Sequence, residues 1–91
     1  MSPIKNLIKN GARIIDVRSP EEYKGEHFKN AENIPVEEIL SGAKEIGGNK
    51  NDSIVVYCAS GGRSGKAAAF LASKGYTNVV NAGGLKDMPK E

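Results

Sequence analysis

The sequence predicts a small α/β domain: a central parallel sheet with helices on both faces. Three observations lead there. Segments of strand character alternate with segments of helical periodicity from end to end. The run Ser53-Ile54-Val55-Val56-Tyr57 is continuously apolar after its first residue, as in strands buried on both sides. The 91 residues suffice for one core and no second, so residues 1–91 are expected to form a single domain.

The elements follow in order. Ser2 is the expected cap of a first helix, with Pro3 at its first helical position and Ile4, Leu7 and Ile8 on one face. Asn10-Gly11 stops it. Ala12–Val17 is a β-branched strand. Ser19 caps the next helix, Pro20 opens it and Glu22 completes a capping box. Pro35 biases Ile34 away from the helical region, so Ala31–Pro35 is read as a short strand. Val36, Ile39, Leu40 and Ala43 mark the inner face of a third helix, with Glu37 and Glu38 at its favourable end and Gly47-Gly48 as its stop. A polar turn, Asn49–Asp52, leads into the central strand. Gly65–Lys74 is a helix burying Ala67, Phe70 and Leu71, and Gly75 ends it. Asn78–Asn81 is the last strand. Gly83-Gly84 is expected to break it, leaving a short polar tail from Leu85.

Composition narrows the function. A net charge of +2 with scattered lysines does not suit nucleic acid. One cysteine excludes an intramolecular disulfide framework and leaves a Cys/His zinc site short of ligands. A lone free thiol fits a reducing compartment, so a cytoplasmic location is expected, or a periplasmic one if a signal segment has been removed. No stretch has transmembrane length.

Cys58 stands where the central strand hands over to a helix, in Tyr57-Cys58-Ala59-Ser60-Gly61-Gly62-Arg63-Ser64. A loop there turns backbone N–H groups inward, and the new helix adds its positive end. Such a site binds anions and stabilises a thiolate. The glycines let the backbone wrap a small ligand, and Arg63 supplies a fixed cation. An isolated cysteine at a strand end is more often a buried small hydrophobe. The glycine-rich loop closing on Arg63 shifts the balance to a nucleophile. Ligands of open parallel sheets bind beyond the carboxyl ends of the strands, where Asp16 also lies.

These residues resemble the single-domain rhodaneses, which are sulfurtransferases. Asp16-Val17-Arg18 with Glu21, Glu22 and Tyr23 is similar to the family's first motif. His27–Pro35 is similar to its second, with Lys29-Asn30 in place of Pro-Gly. Cys58–Ser64 is similar to the active-site loop, followed by the usual small-residue helix and Gly75-Tyr76. The aromatic common after Gly83-Gly84 is missing, and the ending resembles the phage shock protein E type. Members of that type can be periplasmic.

The resemblance implies sulfur transfer through a persulfide on Cys58, with thiosulfate or a related donor and a thiol or cyanide acceptor. Ala59, Ser60, Gly61, Gly62, Arg63 and Ser64 would bind the substrate, and Arg63 would meet the donor's sulfonate. Asp16 and Arg18 are expected to support the site by ion pairing. His27 is read as a packing or hydrogen-bonding residue and Lys66 as a solvated one. No metal or cofactor is expected; the chain is expected to act as a monomer, without nucleic acid or membrane. One rival is a carrier handing its persulfide to a protein partner. Another is a cysteine phosphatase or arsenate reductase, but their loops place five residues between Cys and Arg, whereas Ala59–Gly62 number four.

Overall fold

A computed structural model describes residues 3–42 and 46–89. Four parallel strands form one sheet: β1 Arg13–Asp16, β2 Glu32–Asn33, β3 Ser53–Cys58 and β4 Asn78–Gly84, in the order β2-β1-β3-β4. The helices are α1 Pro3–Lys9, α2 Pro20–Gly25, α3 Val36–Leu40 and α4 Gly62–Ser73, with a 3-10 turn at Leu85–Asp87. Side chains of a strand point alternately to its two faces. In β3, Ile54, Val56 and Cys58 therefore join one core with Val36 and Ile39 of α3 and Ala67 and Leu71 of α4. Val55 and Tyr57 join the other, beneath Ile4, Leu7 and Ile8 of α1 and Tyr23 of α2. The predicted two-faced parallel sheet is what the chain forms. Cys58 faces the layer that holds α4. No helix among the described residues is long and apolar enough to cross a membrane.

The capping box of α2 is present on both sides: Glu22 N–H donates to Ser19 Oγ at 3.3 Å, and Ser19 N–H to Glu22 Oε1 at 3.1 Å. Asn30 adopts φ 67° in the turn where the related motif carries glycine. Asparagine is among the few side chains that enter this region readily.

Several expectations need correction. The third helix ends at Leu40, not at Gly47-Gly48, because the chain turns at Gly42 with φ 75°. Leu40, at that last position, is 39% exposed instead of facing the core. Phe70 is half-buried, its ring covered by the Lys74 ammonium at 5.4 Å. The helix after Cys58 starts at Gly62, three residues early, since Gly61 turns the chain with φ 100°. Arg63 and Ser64 thus lie in its first turn.

Gly83-Gly84 does not break β4. The two steps from Val56 to Cys58 are matched by three from Asn81 to Gly84, a bulge that takes up one residue while pairing continues. Beyond it the tail is not uniformly polar, because Met88 is buried in the second core. Ser2 and Ala43 lie outside the described residues.

Candidate active site

Strand β3 delivers Cys58 to the first turn of α4 through only three residues, Ala59–Gly61. The thiol has no exposed surface. Its Sγ accepts the Gly61 N–H at 2.9 Å and faces the Ser64 hydroxyl at 3.4 Å. Burial pushes the thiol's pKa up. The Ser64 hydroxyl and the backbone N–H groups of Ser64, Ser60 and Gly61 pull harder the other way, bringing it from 9.0 to about 7. Of the loop amides, those of Ser60, Gly61 and Ser64 act on the sulfur.

The Ser64 oxygen is fully buried and also lies 2.6 Å from Asn81 Oδ1, 3.2 Å from Gly61 O and 3.4 Å from Gly83 O. One hydroxyl proton serves these acceptors, and ionised sulfur gains most from it. Asn81 fixes the frame: its Oδ1 also accepts the Gly83 N–H at 2.9 Å, and its amide donates to Gly61 O at 3.3 Å. A Cβ on Gly84 would stand 2.2 Å from Ala59 O, and one on Gly61 would stand 3.3 Å from Gly83 Cα. The loop therefore rests backbone-to-backbone on the end of β4.

Behind Cys58 is a buried polar cluster. Asp16 accepts from Arg18 Nε at 3.0 Å, from Arg18 Nη2 at 2.7 Å and from the Tyr57 hydroxyl at 2.9 Å. Tyr57 in turn accepts the Phe28 N–H at 2.9 Å, and Arg18 Nη2 donates to Glu26 O. Burial first, and then the neighbouring Asp16 carboxylate, push the Tyr57 phenol up to about 12, so it remains a neutral donor. The cluster ties β1 to β3 one residue before the thiol and does not touch Sγ. Removing one member of such a pair costs about 3–5 kcal/mol.

A rhodanese-like domain profile matches residues 2–89. The chain belongs to the rhodanese-like domain family. It is 50% identical over 78 residues to the thiosulfate sulfurtransferase PspE of Escherichia coli K12, covering 84% of this chain and 75% of that protein. A solved rhodanese with anions from E. coli is 46% identical at a TM-score of 0.73, covering 87% of this chain and 95% of the other. The human single-domain sulfurtransferase TSTD1 superposes at a TM-score of 0.81 with 31% identity, covering 92% of this chain and 87% of the other.

In this rhodanese-like domain Arg63 is paired, though partly exposed. Its Nη1 and Nη2 donate to the two oxygens of Glu22 at 2.8 and 3.1 Å. The Arg63 bond, then the Ser19 backbone bond, hold the Glu22 carboxyl at about 2. Glu22 is thus both helix cap and arginine partner, and only the first role is readable from local spacing. Asn81, Gly83 and Gly84 are the other contributors that strand and loop reading passes over. The Gly-Gly doublet was their one signal. Ala59 is exposed at the rim, its carbonyl turned against Gly84. His27 stacks on Tyr23 at 3.8 Å and its Nδ1 lies 2.8 Å from Tyr23 O. Lys66 is exposed. A cavity of about 660 Å³ lined by Ile39, Ile46, Phe70 and Tyr76 includes no residue of the Cys58 loop.

The thiol's acidity sets a pH profile. Thiolate absorbance is expected to rise through a midpoint near pH 7. Because the folded value lies below the ordinary one, the associated stability is fully present above 9.0 and is lost as pH falls through about 7. Ser64→Ala should move the midpoint up. An unchanged midpoint would assign the acidity to the backbone donors alone.

Proposed function

We propose that this rhodanese-like domain is a thiosulfate sulfurtransferase working through a Cys58 persulfide. The carrying observation is the Cys58 sulfur, buried yet held ionisable near neutral pH by donors of its own loop. The Cys58 thiolate attacks the outer sulfur of thiosulfate. A sulfur–sulfur bond forms, the donor's own S–S bond breaks, and sulfite leaves with that electron pair. An acceptor thiolate or cyanide then takes the outer sulfur and returns Cys58 to the thiolate. Dividing transfer into two displacements is covalent catalysis with ping-pong kinetics. The N–H groups of Ser60, Gly61 and Ser64 stabilise the sulfur anion at both ends of the cycle. Ala59, Gly62 and Arg63 complete the substrate cradle, and Asp16 and Arg18 hold its base.

Thiosulfate alone should add one sulfur atom to the protein and release one sulfite; an unchanged intact mass would overturn the reading. Hydrolysis of an aryl phosphate in place of sulfite release would point to the phosphatase alternative. Transfer confined to a protein acceptor would make the molecule a carrier. We also propose a cytoplasmic location, where a single free thiol is maintained, with a periplasmic one as the alternative. A monomer is proposed because Leu40 is the sole large apolar side chain exposed among the described residues.

Arg63→Ala tests the donor contact. Losing a charge-assisted bond to the sulfonate should lower kcat/KM for thiosulfate about ten- to a hundredfold. A neutral sulfur donor should lose far less. Equal losses with both donors would leave Arg63 a support of the loop.

A further inference from the structure

Arg63 is the cation placed to meet an anionic donor, yet it is already occupied. Glu22 takes both terminal nitrogens of its guanidinium, at 2.8 and 3.1 Å. That carboxylate is not a loose surface group. The Ser19 N–H at 3.1 Å and the Ser19 hydroxyl at 3.2 Å hold it from the other side. The first turn of α2 thus fixes Glu22 at the fork of Arg63. The Arg63 guanidinium is stabilised first by its bond to Glu22, and more weakly by the charges of Cys58 and Glu37. The loop's one arginine is therefore paired with one carboxylate and feels the charges of a second and of Cys58. An incoming oxyanion must share or displace Glu22 to reach it.

We propose that Glu22 is a specificity-determining residue that competes with oxyanions for Arg63 and so sets the affinity of the site for them. This rests on the reading of Arg63 as the donor contact. Both side chains are about one-third exposed, at 37% and 36%, so the competition is moderate and reversible. Its physical effect is selection against oxyanions relative to neutral ligands. Sulfate or phosphate, which gain only the arginine contact, are held off. A donor whose outer sulfur also engages the Cys58 loop has additional stabilisation with which to displace Glu22. Excluding wrong ligands by an internal competitor is a common route to specificity.

Glu22→Gln isolates the charge, because glutamine at this position retains a capping-box acceptor. The expected result is a KM for thiosulfate about two- to fivefold lower, the range for an exposed ion pair. Inhibition by sulfate and phosphate should strengthen by a similar factor, while a neutral donor's KM stays put. An unchanged thermal midpoint would confirm that the cap survives. In an Arg63→Ala background the Glu22→Gln effect should vanish. If Arg63→Ala impairs thiosulfate selectively but Glu22→Gln leaves KM and oxyanion inhibition unchanged or weakens them, the competitor role of Glu22 falls while the donor contact stands. If Arg63→Ala has no donor-selective effect, the donor contact itself falls, and the Glu22 inference with it.

Discussion

Replacing Cys58 with serine is expected to abolish sulfur transfer, by on the order of 10³-fold or more, as removal of a covalent nucleophile does in other enzymes. A hydroxyl in this loop has no accessible anion at neutral pH and forms no persulfide. The fold should survive. Cys58 is fully buried, and serine is smaller and can use the donor at Gly61 N, 2.9 Å from the present sulfur. The decisive measurement pairs sulfite release with intact mass after thiosulfate treatment. Both should be null in a protein whose thermal midpoint and circular dichroism match the parent. Persistent sulfite release from a correctly folded Cys58→Ser protein would remove the site from this loop.

Gly84→Ala should be nearly as damaging, though the residue carries no chemistry. The added Cβ would sit 2.2 Å from Ala59 O and 3.0 Å from Ala59 C, both backbone atoms. Overpacking of this kind costs about 1–3 kcal/mol and forces backbone shifts. Ala59 would have to move, and Ser60 and Gly61 with it. Loss of one well-placed N–H donor to a reacting anion costs roughly 10²-fold. The variant should therefore show a lowered thermal midpoint, a raised thiol pKa and a transfer rate down by about that factor. Gly25→Ala is the control: it has no heavy atom within 4 Å of the new Cβ and should be near neutral. A Gly84→Ala enzyme with parental rate and midpoint would show that the contact between β4 and the loop can yield.

How far these features could be read from sequence depends on what holds each of them. The central strand, the capping box and the loop after Cys58 are local patterns, and local chemistry decides them. The start of α4 lies earlier than local pattern indicates because Gly61 enters the left-handed region and winds Gly62–Ser64 into the helix. The extension of β4 through Gly84 depends on pairing with β3 through a bulge, and no local propensity encodes a partner strand. Within the site, Cys58 and Ser64 announce themselves by spacing. Glu22 lies 41 residues from Arg63, and Asn81 lies 17 from Ser64. Those contacts exist only once the sheet has ordered its strands. Leu40 shows the reverse: helical periodicity assigned it to the core, but the chain turned before a full face was made.

One consequence follows from a thiol that is half-ionised near neutral pH and has no exposed surface. Oxidation of cysteine to sulfenic and higher acids tracks both thiolate character and access. Here the two are set against each other. The electrons are available, but the sulfur is enclosed. An oxidant that needs direct access to the sulfur therefore reaches it less readily than its acidity alone would suggest.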